Sequence, residues 1–141
     1  MTGNSRFAVA VHILSLLVTQ RDERLSSDRI AESVNTNPVV IRRIIGMLNR
    51  AGLVQTMPGV AGARLTRLPE ELTLLDIYWA VQDDPKEGLF AIHEHPNPDC
   101  PVGQNIQAAL QGAFCRAQTA MERELSQVTL SDMMQAILFP A

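Results

Sequence analysis

Cysteine, aromatic rings and long apolar runs are all scarce in this 141-residue chain, and each scarcity removes a class of protein. Two cysteines, Cys100 and Cys115, are too few to staple a secreted scaffold, and neither belongs to a C-x-x-C pair. A reducing cytoplasm is the expected location. Aromatic residues make up only 4% of the chain, so Tyr78, Trp79, Phe90 and Met57 are expected to serve the core before they line a small-molecule pocket. The one long apolar run, Phe7 to Val18, contains His12 and leads into Thr19-Gln20-Arg21 with no small-residue cleavage site. At twelve residues it is too short to cross a bilayer. It reads as a buried helix, with His12 a satisfied core or interface histidine and no membrane as partner. Catalytic groupings are missing as well: there is no clustered Ser, His and carboxylate, no phosphate loop and no helical metalloprotease motif. No enzyme is expected; a thiol enzyme at Cys100 would have only His93 or His95 as its base.

Bulk positive charge is lacking too. Fifteen acidic residues against twelve basic ones give a net charge of −3, which excludes a polycation that coats nucleic acid. The charge is unevenly placed, however. Residues 1–68 hold nine basic and four acidic side chains, or +5, and the remainder holds three and eleven, or −8. One part therefore suits a polyanion, and the acidic part is expected to point away from it.

With 46% hydrophobic residues, the length suits one compact unit. Phe7, Val11, Leu14 and Val18 repeat at helical spacing, which predicts a helix from about Ser5 to Thr19. After the polar connection Gln20 to Leu25, Ser26 or Ser27 can cap a short helix carrying Ile30, Ala31 and Val34 inward. Asn37 and Pro38 suit the cap and first position of a third helix, whose stripe is Ile41, Ile44, Ile45 and Leu48 and whose left-handed stop is Gly52. Two short helices joined by a tight polar turn form a helix-turn-helix. Strands at residues 53–57 and 63–66, with a turn at 58–62 between them, predict a hairpin wing. Pro69-Glu70-Glu71 is expected to open a fourth helix reaching Val81. Residues 82–100 read as loop, with a short strand at Leu89 to Ile92. A long helix follows from Pro101 to about Ser126, and Leu130 to Leu138 form a last short one. The expected fold is mainly α with a small β wing. Residues 1–81 form a winged helix-turn-helix, 82–100 a loop, and 101–141 a dimerisation helix and C-terminal helix packed into the same unit.

Double-stranded operator DNA is the expected partner of the winged part. Asn37, Pro38, Val39, Val40, Arg42 and Arg43 lie at the start of the third helix, where residues that point outward reach base edges in the major groove. Arginine donates two bonds to guanine, asparagine pairs with adenine, and a valine methyl packs on the thymine methyl. Ser26, Ser27, Arg29, Arg64 and Arg67 are candidate phosphate contacts. The competing reading is a winged-helix protein-interaction module without specific DNA binding.

Several separated motifs, in one order over almost the whole chain, resemble the Rrf2 family of bacterial winged-helix transcription regulators. They are Asn4-Ser5-Arg6-Phe7-Ala8-Val9, Ile30-Ala31-Glu32-Ser33 followed by Asn37-Pro38, Leu48-Asn49-Arg50-Ala51-Gly52-Leu53-Val54, the glycine-bearing wing, Leu75-Asp76-Ile77-Tyr78-Trp79-Ala80-Val81 and Thr129-Leu130-Ser131-Asp132. Residues 34–43 and 97–103 are most similar to a branch without the iron–sulfur cysteines. The resemblance implies a homodimer that binds operator DNA, with the long helix crossing its partner; the expected action is that of a repressor blocking a promoter. The wing departs from the family: Pro58-Gly59-Val60-Ala61-Gly62-Ala63 lacks the arginine that many members place before the first wing glycine, and Arg64 is the substitute at hand. The loop also has one cysteine where iron–sulfur members have three, so no cluster, and no cofactor at all, is expected.

His93, His95 and Cys100, with Glu94 or Asp99, have the composition of a zinc site but lack a tight ligand pair, and no metal is assigned. Cys100 before Pro101 is a candidate redox-sensing thiol, because a helix N-terminus favours a thiolate while Asp99 opposes it. Cys115 reads as a small buried hydrophobe. The long helix, at about 25 residues, spans roughly 38 Å, more than a small domain needs for its own core. Val102, Ile106, Leu110, Ala113, Phe114, Ala117 and Met121 form the stripe expected to meet a second copy.

Overall fold

The computed structural model of the chain describes residues 5–20, 24–84 and 88–140. Asn4 of the N-terminal motif, Arg21 with its two acidic neighbours, and residues 85–87 of the predicted loop lie outside the described residues.

The fold is arranged around α1 (Ser5–Thr19), whose bounds agree with the hydrophobic repeat. Ala10, Ile13 and Leu14 are wholly enclosed and Leu17 nearly so. Against this helix pack α2 (Ser27–Val34), α3 (Pro38–Arg50), α4 (Leu74–Ala80), α6 (Leu130–Leu138) and the second strand of the wing. His12 on the outer side of α1 shares a 2.9 Å hydrogen bond with the Ser33 hydroxyl, so it is satisfied.

Polar caps separate α2 from α3. The Ser26 side chain accepts from the Arg29 N–H at 3.2 Å and starts α2. The helix stops at Asn35, which is left-handed (φ 65°), while the N–H groups of Asn35 and Thr36 both donate to the Ala31 carbonyl at 2.8 and 3.0 Å. Two residues on, Asn37 accepts from the Val39 N–H at 2.8 Å and Pro38 takes the first turn of α3. Ile41, Ile44, Met47 and Leu48 enter the core; Ile45, expected among them, is half-buried, while Met47, outside the expected stripe, is buried. Gly52 (φ 79°) and the Leu53 N–H, bonded to the Leu48 carbonyl at 3.0 Å, end the helix.

The wing consists of β1 (Val54–Met57) and β2 (Val60–Leu65), antiparallel, with Val54 opposite Leu65, Gln55 opposite Arg64 and Met57 opposite Val60. The turn is therefore shorter than the sequence suggested. Pro58-Gly59 alone reverses the chain, with Gly59 at φ 74°, and the extra residues of β2 form an irregularity after Thr56. Gly62 (φ 96°) belongs to that irregularity and lies against the α1–α2 connection: a Cβ there would come 3.1 Å from the Arg24 Cβ and 3.3 Å from the Leu25 carbonyl oxygen.

Pro69–Glu71 form a separate 3-10 turn rather than the start of α4. The helix begins later because Thr73 and Asp76 make a capping box, each side chain satisfying the other residue's backbone N–H at 3.0–3.1 Å. Thr129 and Asp132 repeat the box at α6, and Thr73 and Thr129 are themselves joined as an isolated bridge. These contacts bring the C-terminus back to α1, where Leu130 is fully buried. Between them α5 (Pro101–Ser126) packs beside α4 and has no buried residue in its 26 positions.

Gly59 and Gly62 share a positive φ but differ in space, since nothing lies within 4 Å of a Cβ at Gly59. Gly62→Ala is expected to lower stability by about 1–3 kcal/mol, on the scale of a strained left-handed residue with crowding added. Gly59→Ala should cost less, about 1 kcal/mol. Urea unfolding midpoints of the two variants check this ordering, and equal costs would contradict it.

Candidate nucleic-acid interface

The outward face of α3 is a consequence of its core stripe. With Ile41, Ile44 and Leu48 inward, helical geometry leaves Val39, Arg42, Arg43, Gly46, Asn49 and Arg50 on the opposite side. All of these but Gly46 are exposed, Val39 at 61%. Gly46 sits in the middle, where an added Cβ would meet only the Arg50 guanidinium, at 3.7 Å. The surface is thus a shallow basic strip with one apolar contact at its N-terminal end. Asn49 and Arg50 extend it beyond the residues singled out from sequence, and the seven-residue step from Arg42 to Asn49 is the signal that would have found them.

Two expected base readers have other work. Asn37 spends its side-chain oxygen on the Val39 N–H, so its first role is to cap the helix. Val40 does not join the outward face; it is half-buried and packed against the core, because its direction on the helix lies beside Met47. Pro38 is half-buried at the helix start.

The candidate phosphate contacts lie at the start of α2, on the wing and in the segment after it. Ser26 and Ser27 are half-buried at the start of α2, and Arg29 is exposed in its first turn. Arg64 is exposed on β2 opposite Gln55, and Arg67 lies 3.7 Å from Asp76 in an ion pair. A groove of about 730 Å³ between the end of α1 and the wing gathers Arg64 and Arg67 with Arg24, which sequence reasoning did not single out. At the wing tip Met57 and Val60 are exposed on either side of Pro58-Gly59. The tip is apolar, not basic.

The acidic part of the chain does not simply face away. Asp83, just past α4, reaches back between α1 and α3: its Oδ2 lies 2.9 Å from Arg6 Nη2 and its Oδ1 lies 3.6 Å from Arg43 Nη2. Arg6 also donates from Nη1 to the Val81 carbonyl at 2.9 Å. The sign asymmetry along the sequence is therefore crossed in space at Asp83 and again at Asp76, because ion pairs form wherever opposite charges are brought together regardless of sequence distance.

The loop before α5 is tied along that helix by glutamine side chains. Gln104 donates to the Pro98 carbonyl at 2.7 Å, Gln107 to the His93 carbonyl at 3.1 Å, and Gln118 accepts from the Leu89 N–H at 2.7 Å. Residues 89–92 are consequently not a strand; the Leu89 N–H that a ladder would use goes to Gln118. Cys100 is exposed at the N-cap of α5, where the backbone N–H groups of Gly103 and then Val102 lower its thiol below the ordinary value, although its side chain makes no capping hydrogen bond. Cys115 is exposed as well, not buried, because α5 packs little of its length on its own domain; Gln111 donates to its sulfur at 3.5 Å. The two sulfurs belong to positions roughly 22 Å apart along the helix axis. Among the described residues no three His, Cys, Asp or Glu side chains converge to hold a metal ion.

The four residues considered for a pocket are scattered. Tyr78 is buried edge-on between Phe7 and Trp79, with ring centroids at 5.6 and 5.1 Å, whereas Met57 is on the wing. Phe90 is half-exposed against Phe114 of α5, 5.0 Å away. In the α5 stripe Val102 and Ala113 are exposed, and Ile106, Leu110, Phe114, Ala117 and Met121 are only half-buried. Among the described residues no helix is long and apolar enough to cross a membrane.

Comparison with known proteins agrees with this geometry. Residues 3–136 match the model of the Rrf2 family, described as an iron-dependent transcriptional regulator. The chain is 53% identical over 131 residues to a Bacillus subtilis (strain 168) protein named as the HTH-type transcriptional regulator YwnA, covering 93% of this chain and 96% of that one. A solved structure described as a DNA-binding protein is 46% identical, with a TM-score of 0.75 over 92% of this chain and 98% of its own. A transcriptional regulator from Lactobacillus plantarum superimposes with a TM-score of 0.82 at 25% identity, covering 98% of this chain and 93% of that one. The family match over most of the chain and the close relative point the same way as the helix-turn-helix, the wing and the outward basic strip: the chain belongs to the Rrf2 family of winged-helix, DNA-binding transcriptional regulators.

Proposed function

We propose that the protein is a cytoplasmic homodimeric repressor that places two copies of α3 in successive major grooves of an operator and blocks a promoter, with no enzymatic step. The observation that carries the dimer is α5, whose 26 residues include no buried one although its stripe holds Val102, Ile106, Leu110 and Phe114. A helix with this much uncovered apolar surface is stabilised by a second copy, and small residues at Ala113 and Ala117 let two such helices approach closely. A two-fold axis then sets the two recognition helices about one DNA turn, or a multiple of it, apart.

In this reading Arg42 and Arg43 read bases, Val39 packs against a thymine methyl, and Ser26, Ser27, Arg29, Arg64 and Arg67 hold phosphates. No metal or iron–sulfur centre takes part. A cluster takes about four ligands, and the chain has two cysteines, one at the N-cap of α5 and the other about four turns along it. Cys100 is the redox contact, since it combines exposure with a thiol held below its ordinary pKa at the foot of the dimerisation helix.

Sedimentation should show a dimer, and Leu110→Glu together with Phe114→Glu should return it to monomer; a wild-type monomer at micromolar concentration would contradict the dimer. Arg42→Ala is expected to cost about 1–3 kcal/mol of preference for the operator over unrelated DNA. Arg64→Ala should instead weaken both duplexes alike and reduce the slope of log K against log salt by about one; gel-shift titrations at several salt concentrations separate these effects. Because the Cys100 thiol is lowered, its thiolate persists to lower pH than that of an unperturbed thiol and is lost as pH falls through the lowered value. Alkylation of Cys100 at neutral pH should outpace that of a cysteine in an unstructured peptide, and Cys100→Ser should abolish oxidant-induced release of DNA. Release that survives this substitution would remove the redox role.

A further inference from the structure

Arg43 is one of the exposed arginines on the outward strip of α3, and a carboxylate from forty positions later in the chain faces it, Asp83 Oδ1 lying 3.6 Å from its Nη2. That carboxylate, 55% exposed, is held from its other side as well. Its second oxygen is 2.9 Å from Arg6 Nη2, and Arg6, whose side chain is only 22% exposed, is anchored by its other nitrogen to the Val81 carbonyl at 2.9 Å. The order is therefore a backbone carbonyl, a largely buried arginine, a bridging carboxylate and an arginine that keeps 66% of its side chain exposed.

A negative charge beside a DNA-facing arginine lowers attraction to every phosphate backbone, matched or not. It also restrains a long, many-rotamer side chain through one edge of a planar donor, and an arginine held in one arrangement loses less freedom when it meets a base. The first effect opposes non-specific binding and the second favours a matched site. Resting on the reading of α3 as the recognition helix, we propose that Asp83 is a positioning residue for base readout: anchored by Arg6, it orients the Arg43 guanidinium for a base in the major groove and so raises specificity. Asp83 itself touches no base.

The test compares affinities of the full-length protein, at one salt concentration, for a duplex it selects from random DNA and for a scrambled duplex of the same composition. Arg43→Ala should lower the ratio of the two by about tenfold or more, the scale of one bidentate base contact. Asp83→Asn should lower it by about two- to fivefold, the scale of an exposed ion pair, with binding to the scrambled duplex unchanged or tighter. The double variant should be no worse than Arg43→Ala alone. An unchanged ratio in Asp83→Asn, including equal tightening on both duplexes, overturns the proposal, as does a further loss in the Arg43→Ala background. If Asp83→Asn also melts at lower temperature, Asp83→Glu decides: restoring the ratio supports positioning, and a ratio as low as that of Asp83→Asn overturns it. An Arg43→Ala protein with full specificity would instead remove Arg43 from base readout altogether, a failure distinct from that of Asp83.

Discussion

Everything that could touch DNA in this protein is held in place by the burial of one helix. Ala10, Ile13 and Leu14 of α1 are fully enclosed by residues of α2, α3, α4, α6 and the wing, so the recognition helix, the wing and the returning C-terminus share a single core. Full burial of a Leu or Ile side chain is worth about 1.5–3 kcal/mol. The wholly buried set also includes Ile30, Ile41, Ile44, Leu48, Leu72, Ile77 and Leu130, with at least one residue from each of α2, α3, α4 and α6. Because close-packed interiors resist small displacements, a change in α1 would tilt α3 and the wing together rather than separately.

Short helices depend more on their ends than long ones do, and here the N-terminal end of each of α2, α3, α4 and α6 is closed by a side chain. Ser26 and Asn37 cap α2 and α3, and Thr73–Asp76 and Thr129–Asp132 form reciprocal boxes on α4 and α6. Asn37 shows the consequence. An asparagine at the start of a recognition helix has the right chemistry for adenine, yet its oxygen already satisfies the orphan Val39 N–H. Local backbone satisfaction comes before readout, and the basic strip that remains lies further along the helix, at Arg42, Arg43, Asn49 and Arg50.

This hierarchy explains which parts of the molecule were legible in the sequence. Periodicity located α1, α3, α5 and α6 because each has a stripe that must be buried or paired, and Asn37-Pro38 marked the start of α3 by its local chemistry. The late start of α4 was also encoded locally, in Thr73-x-x-Asp76, but Pro69-Glu70-Glu71 imitates a helix start and only the competing box shows that it ends as a 3-10 turn. Val40 was misplaced because a fraction of a helical turn separates outward from half-buried. The groove side of Arg24 and the bridge from Asp83 to Arg6 and Arg43 had no local signal at all; they arise when segments distant in sequence are folded onto one another. Cys115 failed for the opposite reason, since apolar neighbours predict burial only when another surface is present to cover them.

The division of charge acquires a different meaning from the same facts. A +5 part and a −8 part suggest two faces, one for DNA and one away from it. Asp83 and Asp76 instead stand beside Arg43 and Arg67, inside the region that would meet DNA. Exposed pairs of this kind add little to stability, so their effect is felt mainly in how strongly, and in what orientation, the arginines present themselves. The net charge of −3 limits indiscriminate attraction over the whole surface, and the paired aspartates limit it again beside Arg43 and Arg67. Binding that survives both restraints must come from contacts that fit, which is the physical requirement for a regulator that has to find one site among many.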